Sequence, residues 1–295
     1  MLTLGLINSS TELPDYQKVI KDHIPRSYAG QFIPLRQIPT DNQQTVKGKP
    51  DDFRKFISGC DAVIIPNIDD STYSLIVEAL KQSKHTLLGN PLALDPDELD
   101  QLFKLAEEAN VIIKVMQNVI YYGVLETASD YIDNPAYLEV RIDSTEPQSS
   151  IFDSMFHAIQ PVVYINHSNL KKLHAVSIPI NAHHPGMINA RVEFDNGCVA
   201  NITSSKFADT DRFYCRIHQA NQDIRIDFLN KKVILLGSDN NLEIRKNDYI
   251  WDEIDHFINN IQSKHYHINQ SESGYLTYLI SRKIMEKISL ETLSA

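Results

Sequence analysis

Cysteine is nearly absent from this 295-residue chain: Cys60, Cys198 and Cys215 are all there is. They are too few and too scattered for a disulfide framework or a zinc cluster, and they fit reduced thiols in a cytoplasmic protein. No apolar run approaches the roughly 18 residues of a membrane span, and the N-terminus lacks the charged-then-apolar layout of a signal peptide. Positive charge is in deficit. Lys and Arg number 28 against 38 Asp and Glu, a net −10, which argues against nucleic acid or an anionic membrane as the main partner. There is no repeat and no low-complexity tract. What remains is an ordinary globular composition, 42% hydrophobic and 22% charged, long enough for two domains.

Glycine is missing where a nucleotide-binding chain most needs it. Leu2 to Ile7 reads as a buried first strand, and a dinucleotide-binding fold should continue G-x-G-x-x-G, so that backbone amides approach the pyrophosphate. Here the turn is Asn8-Ser9-Ser10-Thr11-Glu12-Leu13-Pro14. Its Cβ atoms would crowd the phosphate position, and Glu12 would repel the phosphate unless it points away. Two readings stand: the turn binds a cofactor through Ser and Thr hydroxyls in an altered pose, or it binds none.

What is there is clearest from Cys60 to Leu94. Ala62 to Ile65 is a short, β-branched run that reads as a strand buried on both faces. Ser71 can cap a helix carrying Leu75, Ile76, Ala79 and Leu80 at helical spacing, and Thr86 to Leu88 is a second strand. Asp95-Pro96, with Glu98 at the capping-box position, starts a helix to Asn110, and Val111 to Met116 is a further strand. Alternating strands and helices build a parallel sheet with ligands at the strand ends. Between the first strand and this stretch, Tyr16 to Ile24 is a short helix. Phe32 to Leu35 suggests a strand whose proline implies an edge or a break. Asp41 and Arg36 are weak candidates for ribose and 2′-phosphate contacts. Asp51 and Asp52 begin a helix with Phe53, Phe56 and Ile57 inward.

This stretch resembles the nucleotide-binding domain of the glucose–fructose oxidoreductase / inositol dehydrogenase (Gfo/Idh/MocA) family, which reads D-A-V-x-I-x-T-P-N, then G-K-H-V-x-x-E-K-P-L-A-x-T. The matching residues are Asp61-Ala62-Val63, Pro66-Asn67, Lys84-His85 and Pro91-Leu92-Ala93. The family's E-K-P is Gly89-Asn90-Pro91 here, so Asn90 stands where the family has a lysine beside cofactor and substrate. Asn118 keeps the start of the family's N-R-R-F motif, followed by Val119-Ile120-Tyr121-Tyr122. By resemblance the cofactor is NAD or NADP, with Asn8, Ser9, Ser10, Pro66, Asn67 and Asn118 as its contacts.

After Asn118 the pattern changes. Tyr137 to Asp143, His174 to Ile180, Ile188 to Phe194 and Val199 to Ser204 alternate apolar and polar residues, as strands with one wet face do. Asp195-Asn196-Gly197 marks a hairpin. Phe213 to His218, Ile224 to Phe228 and Val233 to Leu236 add strands, and helices run over Asp252 to Ile261 and Ser273 to Ile288. The fold class expected is α/β plus α+β: a Rossmann-type parallel-sheet domain over residues 1–118, then an open, mostly antiparallel sheet with helices on one face over 119–295. The Phe194 to Ser205 hairpin and the Glu253 to Ile261 helix also resemble the family. By resemblance copies associate through the second sheet.

Asp153 and His157 stand at D-x-x-x-H spacing, one helical turn apart on one face, where a carboxylate can orient an imidazole and keep it protonatable near neutral pH. In the family such a pair faces the nicotinamide, and the histidine exchanges a proton with the substrate hydroxyl. The alternative is a helix with a buried, hydrogen-bonded histidine. His183-His184-Pro185-Gly186 reads as a turn between strands, with no carboxylate or cysteine at ligand spacing, and no metal site is expected. The resemblance implies an NAD(P)-dependent oxidoreductase acting on a sugar- or polyol-like hydroxyl or ketone, with His157, Asp153 and Asn90 at its centre. The rival is a relative that has lost cofactor binding and serves ligand binding or assembly.

Overall fold

The computed structural model describes residues 2–7, 16–34, 45–48, 50–69, 71–146, 150–181, 184–237, 242–263 and 273–292. The chain divides into two units, residues 1–116 with 250–275, and residues 117–249 with 276–295.

The first unit is a six-stranded, all-parallel sheet. Its strands are β1 (Leu4–Ile7), β2 (Tyr28–Pro34), β3 (Thr45–Gly48), β4 (Ala62–Ile65), β5 (His85–Leu88) and β6 (Ile113–Val115), in the order β3-β2-β1-β4-β5-β6. Between them run α1 (Tyr16–His23), α2 (Pro50–Ser58), α3 (Tyr73–Lys81) and α4 (Pro96–Glu108). All four residues of β1 and of β4 are buried, as expected of strands covered on both faces. Helix α4 carries the capping box read from the sequence, with the Asp95 N–H donating to Glu98 Oε2 at 2.9 Å.

Two local expectations are refined. Ser71 does not cap α3; Thr72 stands at the N-cap position without a side-chain cap bond, and the Asp69 carboxylate accepts from the N–H and hydroxyl of Ser71 at 2.8 and 2.5 Å. Of the edge or break expected at Phe32–Leu35, Pro34 marks the break: β2 lies between β1 and β3 and ends at the proline. Strand β3, not anticipated in the sequence, is the edge on that side. Residues Arg36 and Asp41 fall outside the described residues.

The second unit holds a seven-stranded sheet of β7 (Tyr137–Asp143), β8 (Leu170–Asn181), β9 (His184–Phe194), β10 (Val199–Ser205), β11 (Arg212–His218), β12 (Asp223–Asp227) and β13 (Lys232–Leu235). The order is β13-β12-β11-β7-β10-β9-β8. It is antiparallel except at its centre, where β7 and β10 run parallel. One face packs on α6 (Ile151–Asn166) and on α8 (Ser273–Thr292), through Leu138, Val140, Ile159, Val162, Ile202 and Ile284 among others. The opposite face carries polar networks. Asp143, its side chain fully buried, is paired with Arg141 at 2.9 Å and Arg212 at 3.4 Å, and Asn189 donates to Asn201 and Thr203. The 195–197 hairpin forms as read, with Gly197 left-handed at φ 89° and its turn fastened to the end of α6 by an Asn196–Asn166 hydrogen bond of 3.0 Å. His184 is the first residue of β9 and not part of a turn, because the β8–β9 pairing continues as far as Asn181 and His184.

Two further departures concern helices. A short helix, α5 (Gly123–Ser129), was not read from the sequence; its near-continuous burial hides any period. Helix α7 (Tyr249–Gln262) starts at the boundary, and residues 250–275 group with the first unit rather than with the second half of the sequence. There Trp251 stacks on His23 with ring centroids 4.3 Å apart, and His256 Nδ1 lies 2.7 Å from Nζ of the buried Lys114.

Candidate active site

In an open parallel sheet the ligand crevice lies where the strand order reverses, beyond the carboxyl ends of the central strands. Here the reversal falls between β1 and β4. The turn after β1, with Asn8, Ser9 and Ser10, lies outside the described residues. After β4, Pro66 is buried and Asn67 half-buried. The end of β5 closes tightly on that segment. The Gly89 N–H donates to the Ile65 carbonyl at 2.7 Å, and a Cβ on Gly89 would stand 1.8 Å from the Pro66 carbonyl oxygen. Only glycine fits there, which gives a physical reason for this chain's departure from E-K-P at that position. Next to it, the Asn90 side-chain oxygen accepts from the Leu92 N–H at 3.1 Å, an Asx turn that orients the carboxamide locally.

In the second unit, Asp153 and His157 occupy the first turns of α6. Ser150 caps the helix, its Oγ accepting from the Asp153 N–H at 3.3 Å. Asp153 is exposed and His157 half-buried. Burial is what acts on the imidazole: it lowers the histidine from its ordinary 6.5 to about 4. This corrects the expectation that Asp153 would keep it protonatable near neutral pH. The desolvation cost of the cation outweighs any help from an exposed carboxylate, and His157 is neutral at pH 7.

Two residues further along α6 bear on this histidine, and the sequence reading missed both. Pro161 has no N–H to give to the His157 carbonyl four residues back, so the helical ladder is open at the histidine. Gln160, 1% exposed, accepts from the Val119 N–H at 3.1 Å through its side-chain oxygen. That bond fastens α6 to the 3-10 turn Asn118–Tyr121, so Asn118 and His157 ride on two elements tied together. A second bond, from Gln117 Nε2 to Thr277 Oγ1 at 2.9 Å, holds the same turn to α8. The signal in the sequence was Gln160-Pro161, a polar residue and a helix breaker inside an otherwise apolar run. Among the described residues no group of three or more His, Cys, Asp or Glu is placed to hold a metal ion.

A parallel sheet in this strand order, followed along the chain by a large mixed sheet backed by helices, is a Rossmann-type fold with a second, mostly antiparallel sheet unit. Residues 38–117 match the model of the Gfo/Idh/MocA oxidoreductase family, its NAD-binding Rossmann fold. Over that stretch the chain is similar to the NAD-binding domain of that family. It is 25% identical over 219 residues to the UDP-N-acetylglucosamine 3-dehydrogenase of Acidithiobacillus ferrooxidans, covering 68% of this chain and 70% of that protein. A solved structure of that enzyme superposes with a TM-score of 0.85 at 17% identity, over 99% of both chains. The biliverdin reductase of Synechocystis, solved with biliverdin and NADP+, has a TM-score of 0.73 at 11% identity, covering 98% of this chain and 99% of that one. These structural likenesses speak for the fold.

Proposed function

We propose that the chain is an NAD(P)-dependent dehydrogenase that oxidises a hydroxyl on a sugar, and that the sugar is carried on a nucleotide. The observation behind this reading is the 25% identity to UDP-N-acetylglucosamine 3-dehydrogenase. Bound NAD(P) would supply the hydride acceptor. In this reading His157 takes the hydroxyl proton onto its imidazole as the hydride leaves the same carbon, and a carbonyl results. A dehydrogenation base must be unprotonated at the start, and the burial that lowers His157 keeps it so. Asp153, one turn away and solvated, gives the imidazolium a counter-charge. Asn90 hydrogen-bonds substrate or cofactor without adding positive charge. Asn8, Ser9, Ser10, Pro66, Asn67 and Asn118 are assigned to the dinucleotide. Copies associate through the second sheet, whose edge strand β8 exposes Val176 and Ile178 by about half on the face opposite the core. A cytoplasmic location belongs to the same reading, supported by three buried free thiols. Among the described residues no helix is long and apolar enough to cross a membrane.

The test is turnover of UDP-N-acetylglucosamine with NAD or NADP, followed by nicotinamide absorbance. His157→Ala should lower kcat by about a hundredfold or more and leave cofactor affinity unchanged. Failure to bind either cofactor at millimolar concentration overturns the proposal. That outcome would favour the rival, a non-catalytic ligand-binding relative, whose support is the glycine-free turn and the missing lysine.

A further inference from the structure

The second unit contains a pocket of about 620 Å³ that no step above uses. Its aromatic wall is Tyr122, Phe228 and Tyr249. Tyr122 and Tyr249 meet edge to face, with ring centroids 4.8 Å apart, and Phe228 is stacked on Phe213 at 4.1 Å. Leu229, 52% exposed, forms an apolar lip.

The rest of the lining is basic. Among the described residues, Lys231, Arg245 and Lys246 line the pocket and no carboxylate does, in a chain with a net charge of −10. Arg245 is already neutralised from outside, by Glu126 and Asp130 at 2.8 Å each. Lys231 and Lys246 are exposed and sit on different segments, one after β12 and one before α7. Lys231 also holds a left-handed backbone at φ 50°, which glycine or asparagine would adopt at less cost. The walls are preformed. A Cβ on Gly123 would lie 2.0 Å from the Arg245 carbonyl oxygen, so the 244–249 segment is seated directly on α5. Asn247 Oδ1 accepts from the Gly123 N–H at 3.2 Å, and its Nδ2 donates to the Tyr121 carbonyl.

Concave, apolar, rigid and bordered by a few charges of one sign is the form of a small-molecule site, and the volume lies within the usual range for one. Aromatic faces and edges accept a planar ring, while lysine ammonium groups accept phosphate. We propose that this pocket binds a nucleoside phosphate, its base against Tyr122 and Tyr249 and its phosphate between Lys231 and Lys246. The ligand is either a free nucleotide or the nucleotidyl part of a sugar nucleotide. The proposal does not depend on the dehydrogenase reading, since the pocket needs neither His157 nor the parallel sheet.

The test is calorimetric titration of the whole chain, saturated with NADP to occupy the other nucleotide site, with UMP, uridine and UDP-N-acetylglucosamine. UMP should bind, uridine should bind more weakly, and the double variant Lys231→Glu/Lys246→Glu should weaken UMP by about tenfold or more at an unchanged melting temperature. Both lysines are exposed, so the variant tests charge and not folding. Tighter binding of UDP-N-acetylglucosamine than of UMP, lost in the lysine double variant, identifies a sugar nucleotide as the source; binding of UMP alone identifies a free nucleotide. The proposal is overturned if no nucleotide binds at millimolar concentration, if uridine matches UMP, or if the lysine reversals leave UMP affinity intact.

Discussion

The side-chain oxygen of Gln160 accepts a hydrogen bond from the Val119 N–H at 3.1 Å, deep in the second unit. One buried glutamine thereby links the helix that carries His157 to the turn that carries Asn118. Replacing it with Leu keeps the apolar volume and leaves the Val119 N–H buried without its acceptor. The expected loss is about 1–3 kcal/mol. Urea denaturation of Gln160→Leu should show it as a lower midpoint at constant slope. An unchanged midpoint would mean that the link is dispensable.

Gly89 and Gly197 make a controlled pair. A methyl group at Gly89 collides with the Pro66 carbonyl oxygen, whereas at Gly197 it meets nothing within 4 Å. Gly89→Ala should therefore force β4 and β5 apart and cost about 3 kcal/mol or more, measured by thermal or urea melting. Gly197→Ala pays only for its left-handed backbone, about 1–2 kcal/mol. Equal costs would contradict the packing described at the end of β5.

Stability should depend on pH through His157. Its native value lies near 4 and its unfolded value near 6.5, so between those limits the unfolded chain binds a proton that the native chain refuses. Stability is complete above about pH 6.5 and declines as pH falls toward 4, by on the order of 3 kcal/mol if this group acts alone. His157→Gln should flatten that part of the profile. A variant whose pH dependence matches the parent would show that the imidazole titrates normally.

The Asp143 carboxylate sits between Arg141 and Arg212 with its side chain fully buried. Asp143→Ala leaves two partly exposed guanidinium groups facing each other across β7 and β11 and should cost about 1–2 kcal/mol, read from the urea midpoint. An unchanged midpoint would mean that solvent already screens both arginines.

The parallel sheet was legible in the sequence because its strands are short, buried on both faces and punctuated by caps and prolines, as at Ala62–Ile65 and Asp95-Pro96. The antiparallel strands were legible by alternation. Neither the parallel pairing of β7 with β10 nor the return of residues 250–275 to the first unit was, since local patterns carry no information about distant partners. At the candidate site, spacing alone put Asp153 and His157 one turn apart. The lowered pKa of the histidine was not legible, because it arises from what packs around α6. Helix α5 and the pocket beside it were invisible for a related reason: Gly123, Phe228 and Arg245 are brought together only by the fold.

Because α7 belongs with the parallel sheet, the first unit is not a contiguous stretch of chain. During synthesis from the N-terminus, Lys114 and His23 are made long before their neighbours His256 and Trp251. On the ribosome, the earlier-made strands therefore have to wait, their α7 docking surface uncovered, until residues Tyr249–Gln262 have emerged.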